Sequence, residues 1–101
     1  MPKKSAAGPE VLDELYAVIA ARSGADPESS YTARLFAKGL PKIAQKVGEE
    51  ATETVVAALA ETPGDLVNES ADLIYHLLVL WSAKGVAPAD VYAELARRRN
   101  K

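Results

Sequence analysis

Two stretches of helical periodicity, meeting at Thr62-Pro63-Gly64, constrain this chain more than any other feature. Before that tripeptide, Ile43, Val47, Ala51, Val55, Ala58 and Leu59 fall on one face of a helix turning by roughly 100° per residue. After it, Leu66, Leu73, Ile74, Leu77, Leu78, Leu80 and Trp81 define a wide apolar face. The spacing predicts one helix over about Leu40 to Glu61. A second is expected from Asp65, as a candidate cap, to about Lys84, where Gly85 ends it. A connection this short leaves the two helices antiparallel against each other.

The flanking segments follow the same period. Pro9 can open a first helix, because its missing N–H is one that a helix start leaves unpaired anyway. Val11, Leu12, Leu15, Val18 and Ile19 then recur at helical spacing, and Gly24 stops the helix. Residues 23–30 are a polar loop of turn formers. Tyr31 to Lys38 is compatible with a short helix or an extended segment, broken by Gly39. Pro41 suits a helical first turn, and Pro88 opens a last helix whose Arg97, Arg98 and Arg99 complement its C-terminal dipole. Residues 1–8 are expected to form a flexible N-terminal tail and residues 9–101 a single helical domain. The fold class is all-α: a four-to-five-helix bundle built on the central hairpin. Tyr75 and Val79 lie roughly opposite Leu73 and Leu77, so the second long helix needs cover on more than one side, which predicts a homodimer or higher oligomer.

Composition removes several function classes. There is no cysteine, which excludes disulfides, thiolate catalysis and Cys-ligated zinc. A net charge of −2 offers no overall basic field for nucleic acid, and no basic recognition helix supports a helix-turn-helix reading. The Met-Pro-Lys-Lys start has no apolar stretch behind it, so no signal peptide is expected. The most apolar segment, Ala71 to Ala83, contains Asp72 and His76 and is too short to span a bilayer. A soluble cytoplasmic protein is expected, with no nucleic-acid or membrane partner.

The acids of the hairpin point to chemistry. Glu50 falls at the margin of the apolar face of its helix, with Glu53 just beyond and Glu49 further round. Glu69, Asp72 and His76 line one edge of the other apolar face. Folded about Pro63, at about 1.5 Å rise per residue, Glu53 and Asp72 reach nearly the same level, with Glu50 and Glu69 within two turns. A single E-x-x-E is most often a solvated pair. Two such pairs in register across one hairpin crowd four carboxylates together, which calls for a neutralising hard cation, Mg²⁺ or Mn²⁺. Lys38, Lys42 and Lys46 recur every four residues leading into the acids. Arg34 and the hydroxyls of Ser30, Tyr31 and Thr32 precede them. Next to a cation site, such groups suit phosphate oxygens. His76, the only histidine, is a candidate substrate contact, although a lone histidine on such a face is more often a packing residue. Trp81 and Tyr75 read as packing or interface residues.

The segments Ser30-Tyr31-Thr32-Ala33-Arg34-Leu35-Phe36-Ala37-Lys38-Gly39, Lys42-Ile43-Ala44-Gln45-Lys46-Val47-Gly48-Glu49-Glu50-Ala51-Thr52-Glu53 and Glu69-Ser70-Ala71-Asp72-Leu73-Ile74-Tyr75-His76-Leu77-Leu78-Val79-Leu80 resemble the phosphoribosyl-ATP pyrophosphohydrolases. That family belongs to the all-α, MazG-like nucleotide pyrophosphohydrolases, marked by E-x-x-E followed by E-x-x-D. The resemblance runs from about Leu12 to Arg99. It implies a helical dimer that converts phosphoribosyl-ATP to phosphoribosyl-AMP and pyrophosphate, the second step of histidine biosynthesis. It also implies Mg²⁺ ligation by Glu50, Glu53, Glu69 and Asp72, with Glu49 free to hold a second ion or orient water. Catalytic roles are expected for Glu49, Glu50 and Lys46. Substrate contacts are expected from Ser30, Tyr31, Thr32, Arg34, Lys38, Lys42 and His76. Arg34 stands where the family often has lysine, and Trp81 where an aliphatic is usual. The following cyclohydrolase step is expected to need another protein. Two further readings remain: a house-cleaning pyrophosphohydrolase acting on dUTP or noncanonical NTPs, and a non-catalytic helical dimerisation module.

Overall fold

The computed structural model describes residues 7–100. Residues 1–6 of the expected tail lie outside the described residues. The described residues form five helices: α1 (Val11–Ala21), α2 (Tyr31–Lys38), α3 (Leu40–Ala60), α4 (Pro63–Lys84) and α5 (Pro88–Arg97). Among the described residues there is no strand. The open choice at Tyr31–Lys38 is resolved as helix. Ser30 caps it, its hydroxyl accepting from the Ala33 N–H at 3.0 Å.

The antiparallel α3–α4 hairpin is the centre of the molecule. Its turn is tighter than the sequence reading has it. Thr62, not Asp65, is the N-cap of α4; Asp65 is the third helical residue and completes a reciprocal capping box by accepting from the Thr62 N–H. Pro63 is therefore the first residue of α4 rather than part of a loop. At the far end Gly85, with φ 72°, takes the left-handed conformation. Its N–H reaches the Ser82 carbonyl while the Val86 N–H reaches the Trp81 carbonyl at 2.8 Å, a Schellman closure.

The other helices pack around this hairpin: α1 against α4 and α5, and α2 across both α3 and α4. Ile19, Leu35, Ile43, Leu78 and Val79 form the core, bordered by Leu12, Leu15, Tyr16, Phe36, Tyr75, Leu80 and Trp81. Burying each of the larger ones stabilises the fold by about 1.5–3 kcal/mol. Tyr16 donates to the Val86 carbonyl at 3.0 Å and Tyr92 to Asp13 at 3.0 Å, tying the start of the chain to its end.

The inward face of α3 differs from the purely apolar stripe. Ile43, Glu50 and Ala57 are buried, whereas Val55, Val56, Ala58 and Leu59 are exposed, Leu59 to 83%. Val67 and Ile74 on α4, and Val11 and Val18 on α1, are exposed as well. Apolar character thus marks both the face turned to α4 and a second face that this chain leaves uncovered.

Candidate active site

The hairpin register brings acids together as its turn geometry requires. Glu50, Glu69 and Asp72 each present a carboxylate oxygen, all within 4.8 Å of one another. Glu50 is buried, Glu69 half-buried and Asp72 exposed, so the cluster opens from the interior to the surface. Glu53 is exposed and stands beside Glu69 rather than inside the group of three. Burial first, then a carboxyl hydrogen bond and negative charge from Glu53, with Asp72 and Glu50 adding to it, push the Glu69 carboxyl above the usual glutamate range. Thr54 fastens the two helices at this level: its hydroxyl lies 2.8 Å from the Glu50 carbonyl and 3.2 Å from the Glu69 carbonyl.

Two buried oxygens, Glu50 Oε1 and Glu69 Oε1, have no hydrogen-bond partner among the described residues. A buried acceptor left unpaired is costly and rare, and here two converge. An oxygen-only donor set of this kind suits a hard divalent cation, which would satisfy both at once.

A cationic cleft of about 170 Å³ adjoins the acids, lined by Tyr31, Arg34, Leu35, Lys38, Lys42, Lys46 and Glu49. The three lysines are divided between two helices, as the break expected at Gly39 requires. Lys38 ends α2, and Gly39, at φ 94° and ψ 169°, turns the chain before Lys42 and Lys46 follow on α3. The cleft occupies the inside of that corner. Lys46 joins cleft to acids: its ammonium lies 3.2 Å from Glu49 and 3.7 Å from Glu50. The bond to Glu49 is the main reason the Lys46 pKa is raised. Glu49 in turn is held below the usual range by Gln45, 2.7 Å away, and then by Lys46, so it stays ionised at neutral pH.

The remaining sequence candidates do not line the cleft. Ser30 caps α2. Thr32 is buried, its hydroxyl bonded to that of Tyr75. His76 is buried behind Tyr31, with Nδ1 2.7 Å from the Asp72 carbonyl and Nε2 2.8 Å from the Tyr31 hydroxyl. The polar atoms of Thr32 and His76 hold α2 against α4 instead of facing open space. Thr54 and Gln45 are neighbours that the sequence reading misses. Thr54 sits one helical turn from Glu50, the spacing at which a threonine hydroxyl reaches a backbone carbonyl, and that was the available signal.

The family described as "Phosphoribosyl-ATP pyrophosphohydrolase" matches residues 12–99. The chain is 67% identical over 89 residues to a protein named phosphoribosyl-ATP pyrophosphatase from Paramagnetospirillum magneticum, covering 88% of this chain and 82% of that one. A protein of the same name from Rhodospirillum rubrum is 63% identical over 91 residues, covering 90% of this chain and 78% of its own length. One from Saccharolobus solfataricus is 54% identical over 90 residues, covering 89% and 96%.

Proposed function

The chain belongs to the phosphoribosyl-ATP pyrophosphohydrolase family, and from that premise we propose that it hydrolyses phosphoribosyl-ATP to phosphoribosyl-AMP and pyrophosphate. In this reading it serves the second step of histidine biosynthesis, as a cytoplasmic homodimer with Mg²⁺ as cofactor and Mn²⁺ as a substitute. The observation that carries the proposal is the pair of unpartnered oxygens on Glu50 and Glu69, set beside a cleft of four cationic side chains.

Glu50, Glu69 and Asp72 would hold the cation, with Glu53 beside Glu69 able to join them. When bound, the cation neutralises phosphate charge and polarises the phosphorus under attack. Arg34, Lys38 and Lys42 bind the polyphosphate and draw it into the corner between α2 and α3. Lys46 stabilises the charge that develops on the departing pyrophosphate. Glu49, ionised and at the cleft wall, is placed to accept a proton from the attacking water. The water oxygen bonds to the α-phosphorus in line, the bond from that phosphorus to the bridging oxygen breaks, and pyrophosphate leaves. The exposed Val55, Leu59, Val67 and Ile74 support a second copy as the missing cover.

Pyrophosphate release from phosphoribosyl-ATP, beside a panel of NTPs and dUTP and with and without Mg²⁺, tests the proposal. Release that is confined to phosphoribosyl-ATP and lost on chelation is expected. Efficient dUTP hydrolysis with little from phosphoribosyl-ATP would establish the house-cleaning activity instead.

A further inference from the structure

We infer that Tyr31 recognises a sugar hydroxyl of the substrate and that His76 sets it to do so, an inference that rests on the phosphoribosyl-ATP reading above. The argument is one of donors and acceptors. The Asp72 carbonyl can only accept, so the His76 Nδ1, 2.7 Å from it, carries the ring proton. In the neutral ring Nε2 is then a lone pair. The Tyr31 hydroxyl, 2.8 Å away, must donate its single proton inward to it. His76 is only 6% exposed and stands between the rings of Tyr31 and Tyr75, edge-on to both, which holds the ring in this orientation.

Tyr31 therefore offers lone pairs alone to the cleft it lines. Arg34, Lys38, Lys42 and Lys46 are all donors, matched to phosphate oxygens. A phosphate oxygen meeting the Tyr31 oxygen finds no proton there, whereas a sugar hydroxyl supplies one. Burial, the first cause of the raised Tyr31 pKa, keeps the phenol protonated at neutral pH. Tyr31 is on this account a specificity residue that favours a sugar-bearing ligand over bare polyphosphate. His76 is a positioning residue that acts through it without touching substrate.

The two reaction products separate these contributions by calorimetry at fixed Mg²⁺. Phosphoribosyl-AMP keeps both sugars and no longer carries the anhydride; inorganic pyrophosphate has no sugar. Tyr31→Phe is expected to weaken phosphoribosyl-AMP about tenfold and pyrophosphate less than about twofold, the loss of one hydrogen bond. His76→Phe should reproduce that split, and the double variant should lose nothing further, because both changes remove the same bond. His76→Gln, whose side-chain oxygen can accept the Tyr31 proton, should recover part of the loss. Tyr31→Phe keeps the ring of a half-exposed side chain and removes one hydroxyl, so the test stays readable if His76→Phe does not fold. Equal weakening of both ligands by Tyr31→Phe, no weakening of either, or additive losses in the double variant overturns the inference. A parent that cleaves phosphoribosyl-ATP yet shows no such split defeats only this inference, whereas a parent that binds neither product defeats the proposed function with it.

Discussion

Glu50→Gln isolates the acidic cluster from ordinary surface charge. The change preserves shape and removes a charge that, without a cation, has two carboxylate neighbours within 4.8 Å and one ammonium at 3.7 Å. At an effective dielectric near 20, a like charge 4.8 Å from Glu50 repels it by about 3.5 kcal/mol, and Lys46 attracts it by about 4.5 kcal/mol. Two repulsions outweigh the single attraction. Asp72 and Lys46 are open to water and Lys46 is shared with Glu49, so screening leaves a net relief of about 1 kcal/mol. For a domain of this size that corresponds to a rise of about 4–8 °C in the metal-free Tm. Mg²⁺ acts oppositely on the parent: at about a hundredfold excess over its Kd it adds about 2.7 kcal/mol, because it binds the folded site and not the unfolded chain. Glu50→Gln should abolish most of that increment together with pyrophosphate release. Circular-dichroism melts in chelator and across a Mg²⁺ series, paired with a release assay, measure all three quantities. A variant with an unchanged or lower metal-free Tm and an intact Mg²⁺ increment would refute the reasoning.

Thr54→Val removes the hydroxyl between the Glu50 and Glu69 carbonyls; it should lower stability by about 1 kcal/mol and raise the Mg²⁺ concentration for half-maximal stabilisation several-fold, with Thr54→Ser retaining parental values in both melts. Arg34→Ala, at the cleft rim, should lower kcat/KM for phosphoribosyl-ATP about tenfold or more while changing any residual ATP hydrolysis less, and equal losses in the two assays would remove Arg34 from substrate selection. Leu59→Glu, at the most exposed apolar side chain, should convert a dimer to a monomer in light scattering at micromolar concentration; a parent that is already monomeric would contradict the covered-face reading. Glu94 has its pKa lowered by Arg97 and then Arg98, so the stabilisation it supplies is present above the unfolded glutamate value and lost as pH falls through the lowered one. Melts of Glu94→Gln should accordingly lie slightly below the parent at pH 7 and converge with it under strong acid.

The hairpin was legible in the sequence because two long periodic segments and a Thr-Pro-Gly turn leave one arrangement. Residue rise put Glu53 level with Asp72 and left Glu50 and Glu69 within two turns, whereas the structure groups Glu50, Glu69 and Asp72 with Glu53 beside them. The orientation of α3 was less legible. Val55 and Leu59 carry the same apolar signal as Ile43, and periodicity cannot tell a face covered by the chain itself from one it leaves open. Burial of Glu50 overrides the usual partition of charge to the surface, as expected only where a site supplies the reason. His76 was visible as a singular residue. Its engagement with Tyr31 spans 45 positions, and local pattern carries no record of such a pairing. Gly39 was legible as the interruption between Lys38 and Lys42, but the angle it sets was not, because glycine is permissive in φ and ψ.

That interruption has a consequence for how the site is encoded. Gly39 sits at φ 94° and ψ 169°, a conformation open essentially to glycine alone, although the space around it would admit a methyl group. The acidic half of the site is written redundantly, in the periodicity and capping of two long helices. Of the basic half, Lys42 and Lys46 share α3 with Glu50, whereas Arg34 and Lys38 are brought in by one corner with no slack on either side, since α2 ends at Lys38 and α3 begins at Leu40. Two of the four cations thus reach the cleft through the absence of a single carbon at position 39.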